Sequence, residues 1–242
     1  MYNSISKFYD QLQTEVNYQK YSLYIEKIIR RYNKNAKMVI DLGCGTGNLT
    51  ILLKNMGYDV SGLDVSSEML EKCYKKDKSI LWIHQDIAEL ELYGTYDVFI
   101  SFLDTINHIT DKRKLKKAFK LIYNYMNNGG LFIFDLNTPY KFENVYKDNV
   151  FYMIDEHLTY IWENSFNRKS RICDMDITFF EKSGKSYKRY DDYHCERAYE
   201  FHEIEEICQD IGFNIIGKFK ELTFTDASEK DERIFFVLKK EN

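Results

Sequence analysis

Apolar positions recur at helical spacing between Asn17 and Tyr32, where Tyr21, Tyr24, Ile25, Ile28 and Ile29 form one stripe of an expected amphipathic helix. Short apolar runs then alternate with helical stretches. Met38–Leu42 reads as a strand, Asn48–Asn55 as a helix stopped by Gly57, and Asp59–Leu63 as a second strand. Ser66 is placed to cap a helix reaching Lys75, with Glu68 in its first turn. A third strand covers Ile80–His84 and leads into Asp86-Ile87. Tyr96–Leu103 is an almost unbroken apolar run, as expected of a strand covered on both faces. Asp111 starts a long helix to Met126, Asn128-Gly129-Gly130 ends it, and a fifth strand follows at Leu131–Leu136.

The pattern changes after Pro139, the only proline of the chain. Strand-like runs replace helical ones: Phe151–Ile154, Leu158–Phe166, Ile172–Phe180 and Tyr187–Arg197, the last two joined by the turn signal Ser183-Gly184-Lys185. A helix at Phe201–Asp210, capped by Gly212, and strands at Asn214–Lys220 and Arg233–Lys239 close the chain. This order predicts an α/β fold: a doubly wound, mostly parallel seven-stranded sheet of Rossmann type with a small antiparallel β insertion. Residues 1–137 and 200–242 form the main domain of that reading, and 138–199 an antiparallel lid.

The 242 residues carry a formal charge of -4, which argues against a general nucleic-acid field. The basic stretch from Lys112 to Lys120 reads as the solvated face of a helix. Met1–Asp10 has no signal-peptide layout, and no stretch is apolar enough to span a bilayer. The five cysteines form no C-x-x-C pair and read as free thiols of a cytoplasmic protein; no metal site is expected.

Chemistry concentrates after the first strand, at Asp41-Leu42-Gly43-Cys44-Gly45-Thr46-Gly47-Asn48. A dinucleotide fingerprint needs G-x-G-x-x-G, but the glycines here run G-x-G-x-G and Asn48 takes the third position. Asp41, two residues before the first glycine, would repel a pyrophosphate and suits an ammonium group or hydrogen-bond donors. Asp64 ends the second strand, where a carboxylate accepts from both ribose hydroxyls. No Gly-Lys-Ser or Gly-Lys-Thr follows, so the turn is not a P-loop. The site expects a ribose and a positive group with no phosphate between them, and S-adenosylmethionine fits.

The segment resembles the first motif of class I S-adenosylmethionine-dependent methyltransferases. Phe8-Tyr9-Asp10, Leu63-Asp64-Val65-Ser66 with Glu68-Met69-Leu70, Gln85-Asp86-Ile87 and the late run Arg189-Tyr190-Asp191, His194, Arg197 extend it. Over most of its length the chain is similar to a subgroup of small clostridial and bacillar methyltransferases of unassigned substrate. More distantly, it resembles amino-sugar N,N-dimethyltransferases and glycine or sarcosine N-methyltransferases. The resemblance implies that Asp86 holds the adenine amine and Ile87 its ring, and that Tyr9 helps enclose the cofactor. Residue reading and resemblance together put S-adenosylmethionine, with S-adenosylhomocysteine as product, against Tyr9, Asp41, Gly43, Gly45, Asn48, Asp64, Val65, Met69, Asp86, Ile87 and Leu103. Asp86 can cap a helix as well as bind, Tyr9 reads equally as a packing anchor, and either Met69 or Leu70 must face inward.

The resemblance also sets the end of the fourth strand opposite the transferable methyl. Asp104 and His108 are then the candidate catalytic residues, His108 as a base with an ordinary pKa near neutrality, and Asn107 a substrate contact. Polar aromatics and cations of the insertion, Tyr160, Trp162, Arg189, His194 and Arg197, are further candidates for the substrate, although the arginines are as well suited to pairing with neighbouring acids. Asn137-Thr138-Pro139-Tyr140 resembles an N-P-P-Y motif, but it follows the fifth strand and reads as a turn. The expected activity is in-line methyl transfer to a small-molecule nucleophile, an amine first, by a monomer or homodimer. An RNA or protein acceptor and a non-catalytic cofactor-binding module are the alternatives.

Overall fold

The computed structural model describes residues 5–13 and 16–241; Met1–Ser4 of the opening segment lie outside it. In chain order the helices are α1 (Ile5–Leu12), α2 (Tyr18–Tyr32), α3 (Asn48–Asn55), α4 (Ser67–Lys76), α5 (Lys112–Tyr125), the single turn α6 (Pro139–Lys141) and α7 (Phe201–Ile211). The strands are β1 (Met38–Leu42), β2 (Asp59–Asp64), β3 (Leu81–His84), β4 (Tyr96–Ser101), β5 (Met126–Asn137), β6 (Val150–Ile154), β7 (Leu158–Asn167), β8 (Ile172–Ser183), β9 (Ser186–Arg197), β10 (Phe213–Lys220) and β11 (Arg233–Lys240).

Seven strands form one sheet in the order β10-β11-β5-β4-β1-β2-β3. Strands β1 to β5 are parallel, and β11 runs antiparallel between β5 and β10. Side-chain alternation sorts the sheet's residues between two helical layers. Phe132, Phe134 and Leu136 join Phe119 and Ile122 of α5 and Ile204 and Ile207 of α7. Leu131 and Ile133 join the α2 stripe and Leu49 and Leu53 of α3 on the other side. The expected α2 stripe is buried in full. The chain leaves β1 toward β2 on one side and toward β4 on the other, so a crevice opens at the carboxyl ends of β1 and β4.

Two boundaries differ from expectation. Asn128-Gly129-Gly130 does not stop α5, which already ends at Tyr125; it lies inside β5 as a bulge, with Tyr96 paired to Met126 but Val98 to Leu131. Strand β4 stops at Ser101 rather than Leu103, because Leu103 and Asp104 take left-handed backbone angles, φ 57° and 72°.

A second, four-stranded antiparallel sheet has the order β6-β7-β8-β9, and Gly184, at φ 65°, makes the β8–β9 hairpin turn. Helix α1 lies between this sheet and the turn after β1. Phe8 stacks on Phe179 with ring centres 4.9 Å apart, and Lys7 donates to Glu181 (2.5 Å) and Tyr190 (3.0 Å). On its other side, Asp10 accepts from Thr46 (2.6 Å). The basic residues of α5 are exposed as expected, and Lys112 and Lys116 pair with Glu203 and Asp210 of α7. All five cysteines are free, and no helix among the described residues is long and apolar enough to cross a membrane.

Candidate active site

The turn from β1 into α3 is shaped by what a side chain would strike. Gly43 has φ 72°, and a Cβ there would lie 2.3 Å from Thr105. Only glycine meets both demands. The Gly43 and Cys44 N–H groups donate to the Leu63 carbonyl at 2.7 and 2.9 Å. Gly45 N–H donates to one oxygen of Asp64 (2.8 Å) and Ser66 N–H to the other (2.9 Å). Burial pushes the Asp64 carboxyl up, against the amide bonds from Ser66, Gly45 and Val65. Asp64 thereby ties the glycine turn to the end of β2.

Above this turn lies a cavity of about 350 Å³, lined among others by Tyr9, Gly43, Gly45, Asp64, Val65, Met69, Gln85, Asp86, Ile87 and Leu103. The volume suits a small-molecule ligand, for which pockets of roughly 300–1,000 Å³ are usual. Asp86 lines it and also caps the short turn Ile87–Glu89, accepting from Ala88 N–H at 2.8 Å. Met69 faces the cavity, whereas Leu70 packs with Cys44, Cys73 and Trp82. The lining fits an adenine and ribose: two acids for hydroxyl and amine donors, apolar Met69 and Ile87 for a ring, and a glycine floor that a Cβ would fill.

Two residues expected at the cofactor are outside this lining. Asp41 is buried below it, its carboxyl accepts from Thr50 of α3 (2.6 Å), and burial raises its pKa to about 7. Asn48 faces away, donating to Asp10 (3.3 Å) and accepting from Lys76 (2.7 Å). Both serve the packing of the turn against α3 and α1.

A second cavity, about 150 Å³, adjoins the first and shares Tyr9, Leu103 and His108 with it. Its other lining residues are Leu12, Gln13, Asp104, Tyr160, Trp162, Met175, Ile177, His194 and Glu196. The small sheet supplies its roof by alternation. Tyr160 and Trp162 on β7, Met175 and Ile177 on β8, and His194 and Glu196 on β9 share its inner face. Arg189 and Arg197 have the opposite parity from His194, so they point outward. Arg189 is exposed and pairs with Asp191 (2.8 Å); Arg197 lies over the Tyr199 ring, 5.4 Å from its centre. Neither lines a cavity, which corrects their expected role. Asn107 is also displaced from substrate to scaffold: its amide donates to the carbonyls of Asn137 (3.1 Å) and Arg197 (2.9 Å).

Beneath this cavity is a buried charge cluster. Arg233 reaches Asp104 and Asp135, each at 2.6 Å. Asp135 also accepts from the N–H groups of Leu103 (3.1 Å) and Asp104 (3.3 Å). The left-handed pair after β4 is thus over-determined by a carboxylate, the kind of local strain that marks functional turns. Burial works against the Asp104 carboxylate, but Arg233, Lys141 and His108 outweigh it and hold its pKa below the ordinary value.

His108 bridges the two cavities. Burial lowers its pKa, although Asp104 and the Cys195 carbonyl oppose this. Its Nδ1 is 3.3 Å from that carbonyl, a contact that favours the Nδ1–H tautomer and puts the basic lone pair on Nε2. His194 is also lowered, to about 4, chiefly by burial and then by His108, 6.0 Å away between ring centres.

Glu196, absent from the residue reading, is 4% exposed. It accepts from Asn137 (3.1 Å) and lies 3.9 Å from His108 Nε2. Burial, then the neighbouring Asp104, pushes its pKa up to about 8. Parity along β9 was the available signal: if His194 faces the site, so does Glu196. Asn137-Thr138-Pro139-Tyr140 is more than a turn, since Asn137 is that buried donor and Thr138 caps α6.

Residues 39–130 match the model of a methyltransferase domain. A crystal structure of an S-adenosylmethionine-dependent methyltransferase from Clostridium acetobutylicum superposes with a TM-score of 0.90 at 34% identity, covering 100% of this chain and 99% of that one. A protein of Geobacillus sp. (strain WCH70), assigned provisionally as a methyltransferase, is 30% identical over 246 residues, 99% of each chain. CalS10 of Micromonospora echinaspora, an amino pentose methyltransferase with bound S-adenosylmethionine, has the same fold: TM-score 0.76, 15% identity, 93% and 92% coverage.

Proposed function

The chain belongs to the S-adenosylmethionine-dependent methyltransferases, and from that premise we propose that it methylates the nitrogen of a small amine held in the second cavity. The observation that carries this is the lining of that cavity. It joins the cofactor cavity at Tyr9, Leu103 and His108, carries the carboxyls of Asp104 and Glu196, and has no lysine or arginine among its described lining residues. Such a lining disfavours an anionic acceptor. The faces of Tyr9, Tyr160 and Trp162 suit a cation or its conjugate amine.

S-adenosylmethionine supplies an electrophilic methyl on a sulfonium. Asp64 would hold the ribose hydroxyls, Asp86 the adenine amine, and Ile87 and Met69 the ring faces. The protein's remaining tasks are alignment, exclusion of water and management of one proton. Tyr160, Trp162, Met175 and Ile177 roof the acceptor, and Leu103 and Tyr9 define the junction through which the two reactants meet. Holding reactants in line is worth about 7–11 kcal/mol at best. His108, neutral near pH 7 and basic at Nε2, would take the proton left on the nitrogen once it is methylated.

The test is S-adenosylhomocysteine release with matched panels of small amines, alcohols, thiols and carboxylates. Turnover confined to amines is the expected result. Turnover of alcohols alone would remove the amine from the reading, and absence of calorimetric binding of S-adenosylmethionine would contradict the cofactor site itself.

A further inference from the structure

We propose that Glu196 is the residue that recognises the acceptor's charge: its carboxylate receives the ammonium nitrogen in the second cavity and takes one of its protons. This rests on the amine reading above. Two carboxyls line the cavity, but they are not equivalent. Asp104 already has a cation in contact, Arg233 at 2.6 Å, which it shares with Asp135. Glu196 has a neutral amide, Asn137, at 3.1 Å and a neutral imidazole, His108, at 3.9 Å. Lys141 and Arg233 act on it only by longer-range attraction, so among the described residues its carboxyl is the one in the lining with no Lys or Arg in contact, and an incoming ammonium would supply that contact. Burying an unpaired charge is costly, and pairing it with a ligand cation removes the cost.

The proton step balances without a further reactant. The N–H bond of the ammonium breaks, an O–H bond forms on Glu196, and the lone pair stays on nitrogen. Glu196 gives its own proton to solvent as the ammonium arrives, and the proton it then takes restores the neutral carboxyl when the product leaves. A small amine ordinarily titrates near 10, taking the lysine side chain, about 10.4, as reference. Glu196, raised to about 8 by burial and then by Asp104, is a closer match than an ordinary carboxylate. Elevation also means that the empty site is largely neutral at pH 7, which avoids a bare buried anion.

The groups facing Glu196 decide how this is read against pH. Asp104 and His108 approach from the end of β4, Asp135, Asn137 and Lys141 from the end of β5, Arg233 from β11, Tyr146 from the turn after α6 and Cys173 from β8. Asp104 is depressed and Arg233 elevated, so both keep their charge from pH 6 to 9. His108 is depressed and Tyr146 and Cys173 are elevated, so these stay neutral over most of that range. Lys141, depressed by burial, and Asp135, raised by burial, are the other groups that can titrate.

Tetramethylammonium chloride is the probe, because its charge does not depend on pH, and tert-butanol is its neutral counterpart. Both are titrated calorimetrically into full-length protein saturated with S-adenosylhomocysteine. Tetramethylammonium should bind more tightly than tert-butanol, with affinity rising by up to about 100-fold from pH 6 to 9 as Glu196 ionises. Glu196→Gln should lose most of that rise while keeping its affinity for S-adenosylhomocysteine. Glu196→Asp, which keeps the charge, should retain the rise. A pH-flat affinity in the wild type, an equal rise in Glu196→Gln (the signature of Lys141 or Asp135), or no preference for the cation, undetectable binding included, overturns the proposal. If amines are nevertheless turned over, only the role of Glu196 falls; turnover of alcohols alone ends the amine reading and this proposal with it.

Discussion

The proposed cofactor and acceptor cavities meet at three residues, yet they are assembled differently. The first has its floor in consecutive turns at the ends of β1, β2 and β3, with Tyr9 and the segment after β4 as its walls. Its key contacts, Gly43 and Gly45 against Leu63 and Asp64, span about twenty positions of chain. The second is closed by partners far apart in sequence: Leu103 to His108, Asn137, His194 with Glu196, and Arg233. Local backbone chemistry specifies one; side-chain alternation and long-range charge pairing specify the other. A local site is shared by a superfamily, while an assembled one can be retuned by changing one strand.

The sharpest way to test this separation is Gly43→Ala. The added methyl meets Thr105 at 2.3 Å with the backbone at φ 72°. Affinity for S-adenosylhomocysteine should fall at least about 100-fold, roughly 3 kcal/mol. Tyr160→Ala, on the acceptor roof, should leave that affinity within about twofold of wild type, since a loss beyond the roughly 0.4 kcal/mol this represents means the cavities are coupled. Titration calorimetry on both variants decides.

Next in size is Arg233→Met. It strips the shared partner from Asp104 and Asp135, leaving buried carboxylates beneath the acceptor cavity. Loss of one member of such a cluster typically costs about 3–5 kcal/mol, read as a drop in unfolding free energy by urea titration. A loss below about 1 kcal/mol would show that the cluster is hydrated and that the strained turn after β4 stands without it.

The same division explains what could be read from the chain. The strand–turn–helix pattern, the glycine spacing and the acid ending β2 are local signals, and the structure has each in its expected element. The expected lining residues Asp64, Val65, Met69, Asp86 and Ile87 all face the first cavity. Asp41 was misjudged because strand position gives no information on whether a carboxylate faces the ligand or Thr50 of the following helix. On the acceptor side, Tyr160 and Trp162 were recognisable by type, but Arg189, His194 and Arg197 cannot share a face of one strand. Glu196 was hidden because its meaning depends on Asn137 and His108, 59 and 88 positions away by their numbers. Asp135 and Arg233 looked like ordinary sheet residues until β5 and β11 were paired.

Asp41 offers a pH test of the cofactor side. Its folded pKa is raised to about 7, so its protonated form stabilises the fold. That stability is complete below the ordinary carboxyl range and is lost as pH rises from about 4 through 7. Glu196 acts in the same direction with its own loss extending to about 8. The unfolding midpoint should therefore fall between pH 5 and 8, and Asp41→Asn should remove the lower part of that slope. An unchanged slope in Asp41→Asn would assign the effect to the other raised carboxyls, Asp64, Asp135 and Glu196.

The smallest expected effect belongs to Arg189, and it is informative for that reason. The cation sits in the run that resembles the subgroup's late motif, one residue before Tyr190 of the inner face. Strand alternation turns it to solvent, where its partner is Asp191 on the same outer face. An exposed pair of this kind contributes little to stability. Arg189→Ala should leave the unfolding midpoint and kcat/KM for any accepted amine unchanged within error. His194→Ala, five positions on with the opposite parity, should raise KM through its place in the cavity lining. If Arg189→Ala instead lowers kcat/KM tenfold while His194→Ala is silent, the acceptor is bound on the outside of the small sheet. The cavity beneath that sheet would then be packing space rather than a site.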